Sequence, residues 1–386
     1  MDGDDVSRRD AEAQSAGGPR SCAATIDRSG WKRVRLGDVL QVCHGKCQHA
    51  IESKAGKYPI LATSGEIGRT DSYLYDKPSV LIGRKGTIDK PQYQDSPFWT
   101  IDTLFYTKIA EGYNPKFLFY LCLIIDWASM NEASGVPSLS ANRIESLEVT
   151  IPDIDEQDKI ANALSSIDKH VSTLDSLIAK YEAIKKATVN LLLKPMGTHT
   201  VRLGEVAEIS RGGSPRPIQD FITADPCGIN WIKIGDVSVD AKYIEQTEER
   251  IKPTGIAMSR QVKAGDFILS NSMSFGRPYI LKIDGCIHDG WLAIQNYQNT
   301  FDVDYLYYLL GSDMVFTQYV ENAAGSSVKN LNKDIVAKIR LPAPSLSEQR
   351  EIAERIATID EVLINCKRQL NKAQQLKQGM MSHFFG

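Results

Sequence analysis

One pattern occurs twice in this sequence, and the two copies lie 192 residues apart. The first copy begins Asp153-Ile154-Asp155-Glu156-Gln157, and the second begins Ser345-Leu346-Ser347-Glu348-Gln349. A capping residue followed three positions later by Glu is typical of a helix start, because each side chain can satisfy a backbone amide of the other residue. The pattern therefore predicts two helices that begin near Asp153 and Ser345.

Apolar residues follow each helix start at alternating steps of four and three. Such steps keep one apolar stripe facing a partner helix, as in a coiled coil. A single stripe more often packs against its own domain, but two copies with the same cap and register favour pairing between the two helices. The predicted seam consists of Ile160, Leu164, Ile167, Val171, Leu174, Ile178 and Tyr181 in the first copy, and of Ile352, Ile356, Ile359, Leu363, Cys366, Leu370 and Ala373 in the second.

Each helix closes one copy of a longer repeat. Val34-Arg35-Leu36-Gly37-Asp38-Val39 returns 167 residues later as Val201-Arg202-Leu203-Gly204-Glu205-Val206, and Val149-Thr150-Ile151-Pro152 returns as Ile339-Arg340-Leu341-Pro342. The β-prone runs and loops inside this frame differ between the copies, which predicts two unlike surfaces on one architecture. The predicted boundaries are 1–30 (disordered tail), 31–152 (first domain), 153–195 (first spacer helix), 196–343 (second domain) and 344–386 (second spacer helix).

Composition indicates an ordinary globular protein of the reducing cytoplasm. The 386 residues suffice for two or three domains, and a net charge of −3 gives no support for a general nucleic-acid binder, although basic residues can concentrate on one face. The seven cysteines are odd in number and scattered, which argues against a disulfide framework. No apolar run reaches the roughly 18–20 residues of a membrane span. Residues 1–30 lack the apolar core of a signal peptide.

The sequence lacks motifs for catalysis and metal binding. It contains no phosphate-cradling Gly-x-x-x-x-Gly-Lys-Ser/Thr loop and no His-Glu-x-x-His zinc site. Cys43-His44-Gly45-Lys46-Cys47 lacks a second ligand pair at a spacing that suits zinc. Asn114-Pro115-Lys116-Phe117 differs from the Asn-Pro-Pro-Tyr/Phe motif with which adenine methyltransferases hold a flipped base. We therefore expect no catalytic residue, metal or cofactor in this chain, and we expect any catalysis to belong to partners.

The duplicated motifs, in their order, resemble those of the specificity subunits of type I restriction-modification systems. The motifs that carry the resemblance are Pro152 with Glu156-Gln157, Pro342 with Glu348-Gln349, the domain openings at Leu36 and Leu203, and the strand-to-loop segments 81–86 and 269–272. The resemblance implies an α+β fold with two target-recognition domains, each reading one half of a split site in double-stranded DNA. It also implies a pseudo-two-fold arrangement in which two long antiparallel helices form an intramolecular coiled coil between the domains.

The same resemblance implies the partners and their cofactors. Two modification subunits, which are methyltransferases, would bind S-adenosylmethionine and methylate adenine. Restriction subunits, which translocate DNA and cleave it, would use ATP and Mg²⁺. The charged face of the two helices is expected to remain for solvent or for such partners, and it comprises Lys159, Asp168, Lys180, Lys185, Lys186, Arg355, Lys367 and Arg368.

Loop side chains that follow the predicted strands are the candidates for DNA contact. Arg and Lys match the acceptors of guanine in the major groove, and Asn or Gln match adenine, two bonds at a time. Such residues also form ordinary solvated turns, and most hydrogen bonds to DNA go to phosphate and sugar. The candidates are Arg84, Lys85, Thr87 and Lys90 in the first domain, with Ser64 a weaker one, and Arg211, Ser214, Arg216, Asn271, Ser274 and Arg277 in the second.

Two alternatives to a DNA-reading subunit stay open. The first is a coiled-coil assembly scaffold that binds only proteins, since two diverged surfaces on one frame suit that function as well. The second, which is weaker, is a self-sufficient restriction enzyme. The missing nucleotide-binding and methyl-transfer motifs count against that alternative.

Overall fold

The computed structural model describes residues 28–194, 199–238, 240–271, 276–323 and 331–386. Residues 1–27 of the expected disordered tail lie outside these ranges, and so does the DNA-contact candidate Ser274. The chain divides into two units, the first formed by Met1–Thr173 with Leu370–Gly386 and the second by Leu174–Gln369. Both units mix strands with helices, which confirms the predicted α+β fold with two tandem domains. In the part of the chain that the structure describes, no helix is long and apolar enough to cross a membrane.

Among its described residues, the first unit contains two sheets and a separate strand pair. Its elements are β1 (Lys32–Arg35), α1 (Leu36–Val39), β2 (Leu40–Cys43), β3 (Tyr58–Ala62), β4 (Gly65–Thr70), β5 (Ser79–Gly83), β6 (Gln92–Gln94), β7 (Trp99–Thr100), β8 (Leu104–Ile109), α2 (Pro115–Ile124), α3 (Ala141–Glu145), β9 (Glu148–Ile151) and the long helix α4 (Ile154–Leu192), which continues into the second unit. The sheets have the strand orders β2-β8-β5-β6 and β4-β3-β7. Strand β5 is buried along its whole length.

The part of the second unit that the structure describes contains two five-stranded sheets and another strand pair. Its elements are β10 (Thr200–Arg202), α5 (Leu203–Val206), β11 (Glu208–Arg211), β12 (Ile222–Thr223), β13 (Ile229–Ile232), β14 (Tyr243–Ile244), β15 (Glu249–Ile251), β16 (Arg260–Val262), β17 (Phe267–Ser270), β18 (Pro278–Leu281), β19 (Gly285–Ile287), β20 (Trp291–Gln295), α6 (Val303–Leu310), α7 (Asp313–Ala323), α8 (Lys333–Lys338), β21 (Arg340–Pro342) and the long helix α9 (Leu346–Phe385), whose last residues belong to the first unit. The strand orders are β11-β20-β17-β18-β14 and β12-β15-β13-β19-β16.

Helix α2 covers only part of the apolar segment from Phe117 to Trp127. Helix α2 begins after Asn114, whose side chain caps its first amides, and it ends at Ile124. Trp127 is buried beyond that end, and its indole Nε1 donates to the Cys122 carbonyl at 2.8 Å. The indole therefore uses a free carbonyl of the last turn, which the apolar periodicity of the segment could not show.

In each unit, the first strand of the domain pairs with the strand that precedes the long helix. This pairing explains why the sequence of the domain opening is repeated. Strand β1 pairs antiparallel with β9, and β10 pairs in the same way with β21. The short helix that follows β1 or β10 lies so close to its neighbour that a Cβ on Gly37 would meet Glu145 Cβ at 2.9 Å, and a Cβ on Gly204 would meet Ala337 Cβ at 2.8 Å. Glycine is required at both positions because no side chain fits there.

Helix α4 is tied to α2 by a buried glutamine of the Glu-Gln pattern. Gln157 is 1% exposed. Its Oε1 accepts a hydrogen bond from the Asn114 backbone N–H at 3.0 Å, and its Nε2 donates to the Pro152 carbonyl at 3.0 Å. Asn114 is also the residue that caps α2. Gln157 therefore fixes the start of α4 to the start of α2.

Gln349 makes the equivalent connection in the second unit. It is 0% exposed, and its Oε1 accepts from the backbone N–H of Asp302, which caps α6, at 2.8 Å. Its Nε2 donates to the carbonyls of Thr300 and Pro344, both at 2.9 Å. The preceding Glu348 completes the predicted capping box, since its carboxylate accepts from the Ser345 N–H at 2.9 Å. Hydrogen bonds from the Ser345 hydroxyl and amide lower the pKa of the Glu348 carboxyl, which favours its ionised form.

The second half of α4 and the first half of α9 run antiparallel in the second unit. Lys185 Nζ lies 2.5 Å from Asp360 Oδ1, and Lys367 Nζ lies 2.9 Å from Glu182 Oε1. Residue numbers therefore fall along one helix as they rise along the other. The antiparallel direction expected from the family resemblance is present in this unit.

The predicted seam residues are buried or half-buried in both helices. Those at most 9% exposed are Ile160, Leu164, Leu174, Ile178, Ile356, Leu363, Cys366 and Ala373, and the half-buried ones are Ile167, Val171, Tyr181, Ile352, Ile359 and Leu370. At the start of each helix the stripe packs into the core of its own domain, since Ile160 and Leu164 join the core of the first unit and Ile352 and Ile356 that of the second. Pairing between helices at the other seam positions stays a prediction, which their burial supports.

The end of α9 adds an apolar contact that the seam prediction missed. Met380, Met381, Phe384 and Phe385 pack against the core of the first unit. The Phe385 ring lies 5.6 Å from the Phe117 ring, centroid to centroid. Met380 and Phe384 continue the alternating steps of four and three, but Lys377 interrupts the apolar stripe before them and the predicted seam stopped at Ala373. Met381 and Phe385 lie outside these steps.

Candidate nucleic-acid interface

The two domains place a polar residue at the same point, directly after a buried strand. Arg84 follows β5 and donates from Nη1 to the Asp102 carbonyl at 3.0 Å. Asn271 follows β17 and donates from Nδ2 to the Asp289 carbonyl at 3.0 Å. Asn271 lies 187 residues after Arg84, and Asp289 lies 187 residues after Asp102. The repeat therefore preserves the anchor of this loop and changes the residue type.

The loop after β5 is a tight turn with exposed cations. A Cβ on Gly83 would meet the Thr87 carbonyl oxygen at 2.2 Å, and Gly86 has a φ of +95°. Both glycines are therefore explained by the turn itself. Arg84 and Thr87 are half-buried, whereas Lys85 and Lys90 are exposed, as is the weaker candidate Ser64 in its own turn. Arg84 donates one of its five N–H groups to the Asp102 carbonyl, so other N–H groups can donate to a ligand.

In the second domain, four of the predicted DNA-contact residues converge on Asp289. Ser214 Oγ donates to Asp289 Oδ1 at 3.0 Å, and Arg216 Nη2 lies 3.6 Å from Asp289 Oδ2. Arg211 Nε donates to the Asp289 carbonyl at 3.2 Å, and Asn271 uses the same carbonyl. These residues, together with His288, are called the Asp289 cluster below.

His288 completes the cluster. Its Nε2 lies 2.9 Å from Asp289 Oδ1, and its Nδ1 accepts from the Gly290 backbone N–H at 3.0 Å. Nδ1 therefore acts as a hydrogen-bond acceptor, and Nε2 faces the Asp289 carboxylate. The sequence prediction missed Asp289 and His288 as members of a site because neither belongs to the residue types that read guanine or adenine.

A surface crevice of about 930 Å³ adjoins the Asp289 cluster. Ser214, Arg216, His288 and Asp289 form one part of its wall, and Trp231 and Lys233 belong to the rest. The Arg216 side chain is 82% exposed, and that of Asp289 is 33% exposed. The crevice therefore offers N–H and O–H donors beside a carboxylate acceptor, a mixture that suits base edges better than phosphate alone.

Two predicted contact residues lie differently from the others in this domain. Asn271 is 7% exposed, and its Nδ2 donates to the Asp289 carbonyl, so in this structure its side chain is largely hidden from a ligand. Arg277 pairs with Asp240 at 3.6 Å and lines a different crevice. DNA contact by the exposed candidates stays a prediction.

The sequence of this chain matches a known protein family. The family described as type I restriction modification DNA specificity domain matches residues 28–184 and 195–377. Because these two matches cover most of the sequence, the chain belongs to that family, and the resemblance found in the duplicated motifs is confirmed. Two matches in one chain agree with the repeat of the frame.

Relatives with assigned names are similar over nearly the whole chain. The type I restriction enzyme MjaVIII specificity subunit of Methanocaldococcus jannaschii is 22% identical, over 91% of this chain and 91% of its own length. The type I restriction enzyme EcoDI specificity subunit of Escherichia coli is 21% identical, over 89% of this chain and 84% of its own length.

Solved structures share the fold at lower identity. The S subunit of a type I restriction-modification system from M. genitalium aligns over 92% of this chain and 96% of its own, with a TM-score of 0.67 and 16% identity. A chain from a study of the assembly and conformational transition of the type I restriction-modification system aligns over 93% of this chain and 98% of its own, with a TM-score of 0.54 and 18% identity.

Proposed function

We propose that this chain is the DNA specificity subunit of a type I restriction-modification complex. Each of its two domains reads one half of a bipartite site in double-stranded DNA. The two long helices set the distance between the half-sites and dock the methyltransferase subunits. The chain itself carries no catalytic step and serves the methyltransferase and endonuclease activities of the complex.

The observation that carries this proposal is one loop anchor used twice with different side chains. The same hydrogen bond to an aspartate carbonyl is made by Arg84 in one domain and by Asn271 in the other. A shared frame with a changed side chain at the end of the buried strand is what two unlike half-sites require. In the first domain Arg84 can pair with guanine. In the second domain Arg216 can do the same, and Asp289 can accept from the amino group of cytosine.

We infer the partners and the compartment from the family to which the chain belongs. The proposed partners are double-stranded DNA, two modification subunits and, in the nuclease, restriction subunits. S-adenosylmethionine would be bound by the modification subunits, and ATP with Mg²⁺ by the restriction subunits. We place the complex in the cytoplasm, where its DNA substrate and these small molecules occur together.

Selection from a pool of duplexes with a randomised window tests the proposal. The full chain is mixed with its modification subunit, and the retained DNA is sequenced. We expect two separate groups of fixed bases. Arg84→Ala should relax one group and Arg216→Ala only the other, each by roughly 5- to 100-fold at a single base pair, the usual discrimination of a paired side chain.

Arg33→Ala is the matched control for the two arginine variants. Arg33 of β1 pairs with Glu148 of β9, and both side chains are exposed. Neither residue lies in the loops that contain the DNA-contact candidates. The control should retain both groups of bases. Retention of DNA without any enriched sequence would favour the protein-binding scaffold, and loss of both groups from either single variant would contradict separate reading by the two domains.

A further inference from the structure

Each unit contains the same three-residue contact where a domain helix meets the long helices. In the first unit, Tyr120 of α2 donates its hydroxyl to Asp168 Oδ2 of α4 at 2.7 Å, and Lys377 Nζ of α9 lies 2.6 Å from Asp168 Oδ1. The same Lys377 Nζ lies 5.9 Å from the centre of the Tyr120 ring. These three residues are called the first node.

The second unit repeats this contact with the two long helices exchanged. Tyr308 of α6 donates its hydroxyl to Asp360 Oδ2 of α9 at 2.9 Å, and Lys185 Nζ of α4 lies 2.5 Å from Asp360 Oδ1. Lys185 Nζ lies 5.7 Å from the centre of the Tyr308 ring. These three residues are called the second node. The expectation that the charged face of the helices is left for solvent or partners is therefore wrong for Asp168 and Lys185.

In each node the aspartate accepts a hydrogen bond from the tyrosine and forms an ion pair with the lysine. Burial raises the pKa of the Tyr120 hydroxyl, and the hydrogen bond and charge of Asp168 raise it further. Burial and then Asp360 have the same effect on the pKa of Tyr308. Both hydroxyls therefore stay protonated and act as donors. The aspartate side chains are 33% and 21% exposed, so these ion pairs are less screened by solvent than those at an open surface.

The positions of the nodes along the helices agree. Lys185 lies 17 positions after Asp168 on α4, and Lys377 lies 17 positions after Asp360 on α9. Both nodes are therefore satisfied by one antiparallel register of the two helices. A slide of one turn, about 5.4 Å, would separate the charged partners in both nodes at once.

We propose that the two nodes lock the register of α4 against α9 and are therefore the residues of the spacer that determine a single gap between the two half-sites. This inference rests on the proposed DNA-reading function. The apolar seam alone repeats every seven residues and accepts registers displaced by a heptad, whereas a charged pair at one place on each helix specifies one register. The nodes are positioning residues and need no contact with DNA.

The test is the gap distribution in duplexes selected by the full chain with its modification subunit. The wild-type chain should enrich one gap. The double variant Asp168→Ala/Asp360→Ala should keep both half-sites but enrich neighbouring gaps as well. The fraction of such sites should rise about tenfold, which is the effect expected from losing a charge-assisted hydrogen bond.

Two further variants separate register from general stability. Glu182→Gln/Lys367→Gln removes the other ion pair between these helices, whose side chains are 53% and 54% exposed, and should leave the gap unchanged. Asp168→Lys/Lys377→Asp reverses the first node and should restore a narrower gap distribution than Asp168→Lys alone, even if the double alanine variant folds poorly.

The outcomes distinguish this inference from the proposed function. A single gap in the double alanine variant, with both half-sites retained, would overturn the register lock and leave the DNA-reading function intact. Failure of the reversed pair to improve on Asp168→Lys would also overturn it. If the wild-type chain enriches no bipartite sequence, the proposed function itself fails.

Discussion

Replacing Gln349 with leucine is expected to lower the free energy of unfolding of the second unit by about 3 kcal/mol or more. The leucine would leave the Asp302 N–H and the carbonyls of Thr300 and Pro344 without the partners that Gln349 supplies. Each buried backbone group left unpaired costs about 1–3 kcal/mol. Urea denaturation of the full chain, followed by hydrogen exchange at the start of α6, measures the loss and locates it.

Gln369→Leu is the matched control for this substitution, because Gln369 is an exposed glutamine on the same helix. Its effect should stay within about 0.5 kcal/mol, as for most surface substitutions. Gln157→Leu should reproduce the large effect in the first unit, where Gln157 serves Asn114 and Pro152. If Gln349→Leu were no more destabilising than the control, the Glu-Gln pattern would not be the structural connection described above.

Lengthening both spacer helices by four residues is expected to change the gap between half-sites and leave both half-sites intact. The insertions lie in the 160–181 segment of α4, after Asp168, and between Asp360 and Lys377 of α9. Placing one in each helix keeps the two nodes in step. Four residues add about 6 Å of helix, close to two base pairs of duplex. Sequencing of selected duplexes measures the gap directly.

Lys180→Ala is the length-preserving control for the insertions, since Lys180 is an exposed residue of α4. The control should keep the wild-type gap. An unchanged gap after both insertions would show that the helices do not act as the spacer. Loss of the half-sites themselves would mean that the helices take part in base reading, which the proposed division of labour does not allow.

The sequence predicted the repeated elements well because they depend on local patterns. The caps and the alternating apolar steps are local, and both long helices are present near the expected starts. In the apolar segment 117–127, Phe117, Tyr120 and Trp127 are buried and Phe119 is half-buried. These outcomes follow from periodicity within one element, which a single sequence contains.

The parts that the sequence did not predict depend on contacts between distant segments. Lys377 meets Asp168 only because two helices run antiparallel, and no spacing rule within either helix shows that pair. Asn271 was chosen for its base-reading amide, yet it is 7% exposed and its Nδ2 donates to the Asp289 carbonyl. Asp289 contacts residues from separate segments of the chain, so no local sequence motif marked it as part of a site. Long-range geometry therefore decides which polar residues remain available to a ligand.

Sequencing of methylated adenines, in a host that carries this chain with its modification subunit, tests directly whether two domains read separate half-sites across a fixed spacer. We expect methylation at one bipartite sequence with a fixed gap. Replacing residues 31–150 with the first domain of another family member should change one half of that sequence and leave the other half and the gap unchanged. Methylation at an undivided sequence, or a change in both halves after the exchange, would contradict this expectation.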